Sequence, residues 1–228
     1  MGKSNNFTRE NQHKSQRDVF WTRVGEMMHD DRDIVIVSAD MGTPAFDEIR
    51  TKYPNRFFNV GIAEQNCISV SAGLAKEGKK PYVFNIAAFA TLRAFEQIRV
   101  GTSIMNLPVT IVGTGTGFSY DDAGPTHHLF EDVAVMRTLP HMTINSASDN
   151  VMAKRLADSS RHLDKPNYIR LERHINPNIY DEQDDFSDGF QVLKEGKDGC
   201  IISNGFMLWK VFELHDMLLS HGLDVSVV

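Results

Sequence analysis

One carboxylate in this chain stands out by its setting. Glu64 lies in the stretch Asn59 to Ala75 (NVGIAEQNCISVSAGLA), where a strand-like run turns at Gly61 and continues as a helix of small or apolar residues. Ala63, Cys67, Val70 and Leu74 recur at helical spacing on one face, and Ile68, Ala72 and Ala75 cover much of the other, so the pattern is that of a buried helix. The acid in its first turn is then buried too. Either desolvation raises its pKa, or hydrogen bonds and the positive end of the helix dipole hold it ionised, and both states suit proton chemistry. The helix alone also allows a plainer reading, a first-turn acid that merely complements the dipole.

A second concentration of reactive side chains runs from Gly113 to Asp132. It holds alternating glycines (Gly113, Gly115, Gly117), adjacent histidines (His127, His128) and the acids Asp121, Asp122, Glu131 and Asp132. The glycine spacing is not G-x-G-x-x-G and no helix begins at once, which argues against a dinucleotide loop. Adjacent histidines usually point apart, and no further histidine follows at ligand spacing, which argues against a metal site. Glu131 and Asp132 suit a helix N-terminus.

These residues need elements to hold them, and from Asp18 helices and strands alternate regularly. Asp18–His29 reads as a helix carrying Val19, Val24, Met27 and Met28; Asp33–Val37 is a continuous apolar strand of the kind buried on both faces. Pro44–Tyr53 is a short helix opened by proline, Arg56–Val60 a strand, and the Glu64 helix follows. Then come strand Pro81–Ile86, helix Thr91–Met105, strand Val109–Gly113, helix Glu131–Thr138, strand Met142–Asn145, helix Asp149–His162 with Asp149 as N-cap, and strand Asn167–Leu171. The fold class is α/β, a doubly wound and mainly parallel sheet with helices on both faces. Ligands of such sheets bind beyond the carboxyl ends of the strands. The corresponding loops are Ser38–Gly42, Gly61–Glu64, Asn85–Phe89, Gly113–His128, Ser146–Asp149 and Glu172–His174. Any one loop collects Gly, Asp and His by default; the agreement among them is the signal.

Composition sets outer limits. The 228 residues, 41% hydrophobic and 24% charged, suffice for one well-cored domain and part of another. A net charge of -6 argues against nucleic acid or an anionic membrane as partner. No apolar run approaches the ~20 residues that span a bilayer. Cys67 and Cys200 lie far apart without ligand spacing, so neither a disulfide framework nor zinc is indicated, and a cytoplasmic location is expected. The domain reading is a polar arm over 1–17, an α/β domain over 18–173, an acidic linker over 174–189 and a further α/β unit from 190 to 228. That last unit comprises strand Cys200–Ser203, helix Phe206–Ser220 and strand Asp224–Val228, too few strands for a complete domain.

Gly61-Ile62-Ala63-Glu64-Gln65-Asn66 resembles the motif in the pyrimidine-binding domain of transketolases and related enzymes that use thiamine diphosphate, and the resemblance covers Asp18 to about Arg173. It implies that Glu64 hydrogen-bonds a ring nitrogen of the cofactor's aminopyrimidine, promoting the imino tautomer that deprotonates the thiazolium carbon. Ile86 to Gln97 is similar to the segment whose aromatic residue stacks on that ring, a role that falls to Phe89; taken alone, Phe89 reads as a core residue. A second family aromatic is replaced by Ile86, and one residue is inserted near Leu92, so the ring pocket is expected to differ on that side. The loop ending Gly124-Pro125-Thr126-His127 resembles the stretch whose histidine contacts the reacting end of the donor substrate, where it can hydrogen-bond a developing alkoxide or shuttle its proton.

The resemblance also implies that Asp40 lies beside the thiazolium, that Met41 and Ile62 brace the bent cofactor, and that Arg173 binds a substrate phosphate, as a guanidinium can. Two departures fall on substrate recognition. The family acid that reads sugar stereochemistry is replaced by Ala123, with Asp122 displaced by one, and a family phosphate-binding histidine aligns with Gly115. A Gly-Asp-Gly motif with a later Asn, which holds the diphosphate through magnesium, is missing. The resemblance therefore implies the pyrimidine-binding part of a transketolase-like transferase, active with a partner chain that supplies the Mg2+ ligands, arranged as a dimer of such pairs and acting on sugars or sugar phosphates. The alternatives are the β subunit of a 2-oxo acid dehydrogenase, whose loop lacks a Gly-Pro-Thr-His-like ending, and a 1-deoxyxylulose 5-phosphate synthase relative. A non-catalytic module is a third, against which Glu64, Phe89 and His127 together argue.

Overall fold

Ser15 opens the first helix by a reciprocal cap. Its hydroxyl donates to the Asp18 carboxylate (2.9 Å) and accepts from the Asp18 N–H (3.3 Å), which starts α1 (Gln16–Asp30) two residues ahead of the expected boundary. The computed structural model describes residues 14–228, so most of the polar arm expected over 1–17 lies outside the described residues. After α1 follow β1 (Ile34–Ser38), α2 (Ala45–Lys52), β2 (Phe57–Asn59), α3 (Glu64–Lys76) and β3 (Lys80–Ile86). Next is α4 (Phe95–Gln97), a single α turn between two π-helical stretches, Phe89–Arg93 and Ile98–Ile104. The domain closes with β4 (Thr110–Thr114), α5 (Asp132–Met136), β5 (Thr143–Ser146), α6 (Asn150–Ser160) and β6 (Asn167–Leu171).

The six strands form one parallel sheet in the order β2-β1-β3-β4-β6-β5. Alternate residues along each strand feed two cores, as the pleat requires. Ile34, Ile36, Tyr82, Phe84, Val112, Ile169 and Leu171 face α1, α2 and α6, where Trp21 stands edge-on to Phe46 (4.9 Å) and Phe84 (5.0 Å). Val37, Val83, Ile111 and Tyr168 face Cys67, Ile68 and Ala75 of α3 together with Ala94, Ile98 and Met136. The expected alternation of elements is present. The one segment of different character is Thr91–Met105, expected as a plain helix and found largely π-wound. An i→i+5 turn takes up one residue more than an α turn, and such turns recur at functional sites.

The α3 helix is less enclosed than its composition suggests. Glu64, Cys67, Ile68, Ser71 and Ala75 are buried, while Gln65, Asn66, Ser69 and Gly73 face outward and Val70, Ala72 and Leu74 are half-buried. Val70, Ala72 and Leu74, read as core by pattern, are thus only partly covered by this chain.

Residues 174–189 carry no helix or strand, yet they are anchored. The buried Asp149 carboxylate caps α6 by accepting from Met152 N–H (2.8 Å), and its other oxygen accepts from the N–H groups of Ile179 (2.7 Å) and Tyr180 (2.8 Å). Ile179 and Tyr180 then join Leu193, Leu208, Phe212 and Val227 in a third core that packs against Val151 and Met152. This core supports a parallel pair, β7 (Gly199–Ile201) and β8 (Val225–Val227), joined by α7 (Leu208–Ser220). Among the described residues no helix is long and apolar enough to cross a membrane.

Candidate active site

The chain leaves β1 for β2 on one side and returns to β3 on the other, so the strand order reverses between β1 and β3 and opens a crevice at their carboxyl ends. Asn59, the last residue of β2, ties the crevice walls together. Its side-chain oxygen accepts from the N–H groups of Asp40 (3.1 Å) and Gly61 (3.0 Å), and its amide donates to the Asp40 carboxylate (3.1 Å). Asp40 and Gly61 both sit in the left-handed region, at φ 58 and 74, conformations that Asp tolerates and Gly adopts freely. The turn at Gly61 aims the first residue of α3 into the crevice.

That residue is Glu64, 5% exposed. Its carboxylate accepts from Arg93 Nη1 at 2.8 Å. Arg93 closes the first π stretch, four residues after Phe89, and its guanidinium carbon lies 4.0 Å from the Phe89 ring centroid. A second partner of Phe89 is His127, ring to ring at 4.9 Å in an edge-on arrangement. His127 in turn stands 5.9 Å from Tyr120, Tyr120 carries the Arg173 guanidinium at 4.3 Å over its ring, and Arg173 reaches Asp122 at 3.6 Å. Glu64, Phe89, His127, Arg173 and Asp122 thus belong to one unbroken chain of contacts drawn from separate loops.

The long loop that delivers His127 is held at its base. Gly117 and Leu129 exchange backbone hydrogen bonds (2.8 and 3.0 Å). Ser119 donates to the buried carboxylate of Glu172, which also accepts from the Arg173 N–H (2.7 Å) and the His174 N–H (3.2 Å). At the loop's far end, fully buried Asp132 accepts from the Tyr168 hydroxyl (2.7 Å) and from Arg170 Nε (2.6 Å) and Nη2 (3.2 Å). Burial, with the negative Asp132 beside it, raises the Tyr168 phenol well above its ordinary range. Within the loop Gly115 has φ +84, and the Tyr120 ring fills the space that a side chain at 115 would need.

The two histidines diverge as adjacent residues do. His127 turns to Phe89 and Tyr120, with Nδ1 3.0 Å from the Thr126 hydroxyl, while His128 packs edge-on against Phe118 at 4.9 Å. Among the described residues, no three His, Cys, Asp or Glu side chains gather as metal ligands. Of the remaining sequence candidates, Asp40 is at the crevice through Asn59, and Ile62 projects from the Gly61 turn with 79% exposure. Met41 is half-buried against the core of α1 and α2, with its backbone held by the Ser38 hydroxyl, and it does not join the Glu64 chain. Cys67, one turn after Glu64, donates to the Val37 carbonyl (3.3 Å); burial, reinforced by the Glu64 charge, pushes its thiol up to about 12, so it is no nucleophile.

Sequence reading did not single out Arg93, Tyr120 or Asn59. Arg93 is the one charged residue of a largely apolar turn, and only its place beside an inserted residue hinted at it. Tyr120 and Asn59 act through neighbours that no spacing rule connects. Chemically, the site offers an aromatic face, a buried carboxylate at its edge and an imidazole beside it, all at the mouth of a doubly wound sheet. A flat ring bearing N–H groups fits such a setting, and the planar Arg93 guanidinium already makes both contacts.

This architecture defines a doubly wound α/β domain whose crevice brings together a buried acid, an arginine and an aromatic ring. Residues 12–177 match the family described as "Transketolase, pyrimidine binding domain", and the chain belongs to that family. It is 33% identical over 207 residues to one subunit of the apulose-4-phosphate transketolase of Phocaeicola vulgatus, a match covering 89% of this chain and 66% of that protein. It is 32% identical over 214 residues to SqwH, a subunit of the 6-deoxy-6-sulfo-D-fructose transketolase of a Clostridium species, covering 93% and 66%. A solved structure of a split gene transketolase, an inactive beta4 tetramer, is similar at 34% identity and a TM-score of 0.83 over 94% of this chain and 70% of that one. The chain thus spans 66% of the length of each of the two sequence relatives named.

Proposed function

We propose that this chain is the pyrimidine-binding component of a thiamine diphosphate-dependent transketolase-like enzyme that moves a two-carbon ketol unit between sugars, completed by a partner chain. The observation that carries the reading is the buried Glu64 carboxylate, joined through Arg93 to the Phe89 ring, with His127 edge-on to that same ring. In this reading residues 18–173 form the pyrimidine-binding domain, 174–189 tether it, and 190–228 belong to a further α/β unit. The partner supplies the magnesium and diphosphate ligands, and two such pairs assemble in the cytoplasm. The names of the two sequence relatives, each a transketolase subunit, support a partner.

When bound, thiamine diphosphate supplies a nucleophilic carbon and an electron sink for the ketol unit. Phe89 stacks on its flat ring and fixes the ring plane. Glu64 holds a proton against the ring nitrogen from a site where little water competes, which makes the proton transfer directional. Asp40 and Ile62, on the two loops clamped by Asn59, close the crevice around the remainder of the cofactor, and Met41 supports that wall from the core. His127 donates a hydrogen bond to the donor's reacting oxygen, and Asp122 and Arg173 meet the distal part of the sugar.

The substrate end differs from that of common pentose phosphates. With Gly115 in the place of a phosphate-binding histidine and Ala123 in the place of an acid, the fit is to a modified or unphosphorylated sugar. The relatives' printed substrates, apulose 4-phosphate and 6-deoxy-6-sulfo-D-fructose, are both unusual sugars and support this. The test is reconstitution with the diphosphate-binding partner and two-carbon transfer measured across a panel of ketoses. Transfer that requires thiamine diphosphate and is lost in His127→Ala supports the reading; no transfer in any partner-reconstituted assembly, or a preference for xylulose 5-phosphate over every modified sugar, contradicts it.

A further inference from the structure

We infer that Arg93 is a displaceable stand-in for the cofactor ring, an inference that rests on the cofactor reading above. Two contacts define the ring site, the face of Phe89 and the carboxylate of Glu64, and one side chain of this chain makes both. The Arg93 guanidinium is planar, lies 4.0 Å over Phe89, and donates to Glu64 at 2.8 Å. A flat heteroaromatic ring that stacks on the same face and bonds the same carboxylate needs the same space. The two occupants exclude each other.

The physics explains why the chain fills its own pocket. Glu64 is 7% exposed at its side chain, and a buried carboxylate without a partner is strongly unfavourable. Arg93 neutralises it, and the apolar face of Phe89 is covered at the same time. The arginine is also built to leave. Its side chain is 45% exposed, so the departing guanidinium moves into water and no second site has to be prepared for it. It sits at the end of a π turn, the segment in which the chain carries an inserted residue, four positions after Phe89, a spacing that keeps the two side chains on neighbouring positions of the helix surface.

The consequence is a competition. The apparent affinity for the cofactor is the intrinsic affinity reduced by the fraction of molecules in which Arg93 has vacated the site. Two contacts at a half-exposed position, each modest, set that reduction at about tenfold, ~1.4 kcal/mol. Removing the head group should therefore tighten binding, the reverse of what loss of an ordinary binding residue does. Arg93→Met keeps the stem and deletes charge and plane; Arg93→Lys keeps the charge and deletes the plane.

The experiment titrates thiamine diphosphate with magnesium into the assembly of this chain and its partner, read by calorimetry, alongside melting curves of each variant. Arg93→Met should bind about tenfold tighter and Arg93→Lys about threefold tighter. A second readout uses the same assembly: the Arg93 guanidinium protons in the nitrogen-15 NMR spectrum should be slowly exchanging without cofactor and should revert to a free-arginine signature when it binds. If the wild type binds and neither variant binds more tightly, or if the Arg93 signature does not change on binding, Arg93 is no stand-in and the inference fails while the cofactor reading stands. If the wild-type assembly does not bind thiamine diphosphate, both fall. Should Arg93→Met fail to fold, Arg93→Lys and the NMR signature carry the test.

Discussion

Replacing Glu64 by Gln separates catalysis from folding at one atom. Glutamine keeps the size and one acceptor oxygen, so the contact with Arg93 Nη1 at 2.8 Å survives as a hydrogen bond to a neutral group. What is lost on the folding side is the charge of a pair with one member 45% exposed, which solvent screens to about 1 kcal/mol or less. For a chain of this size that is a fall of about 2–4 °C in melting temperature. On the catalytic side an amide has no easily transferred proton to share with the ring nitrogen. Loss of a positioned acid of this kind costs ~10² to 10⁴ in rate, about 3–5 kcal/mol of barrier. The assay is proton exchange at the thiazolium carbon in the reconstituted assembly, followed by NMR with cofactor saturating, next to a melting curve. Exchange at the wild-type rate with cofactor bound would refute the reasoning and leave Glu64 a first-turn acid. A collapse of the melting temperature would place the residue in packing and would refute the small folding term.

Other perturbations test the frame around the site. Asp132→Asn should remove about 3–5 kcal/mol of stability, because the amide cannot accept from Tyr168 and both Arg170 nitrogens and leaves a buried guanidinium underpaired; chemical denaturation checks it. Gly115→Ala should destabilise by about 1–3 kcal/mol, since it combines a left-handed backbone with the space already held by Tyr120, and a change under ~0.5 kcal/mol would show that Tyr120 yields easily. A thiol reagent should modify exposed Cys200 and spare Cys67 until the chain unfolds. Stability should also fall with alkali: burial raises the Cys67 thiol from 9.0 and the Tyr82 phenol from 10.0, each to about 12. Between those values the unfolded chain has lost protons that the native state keeps, so the slope with pH is negative from about pH 9 upward, and a flat melting temperature from pH 8 to 11 would contradict it.

What the sequence determined by itself was the order of elements and the residues at their ends. Short apolar runs separated by helical periods leave few arrangements other than a parallel sheet covered on both faces, and Asp149 could be read as a cap because capping is local. Glu64, Phe89 and His127 were legible as candidates through short stretches that resemble family motifs; Glu64 and Phe89 follow closely on the ends of β2 and β3, whereas His127 lies well along the loop after β4. Tertiary structure alone decided which of these side chains meet. Phe89 and His127 lie far apart in the chain, and their 4.9 Å contact exists because β3 and β4 are neighbours and the Gly117–Leu129 pair folds the long loop back. It also decided against a uniformly buried α3, because composition reports how apolar a helix is and not how many neighbours one chain provides for it. Arg93 is the clearest case. Its type alone marks a solvated arginine, and only the fold, which sets the buried Glu64 carboxylate beside the Phe89 ring's guanidinium partner, turns it into part of the site.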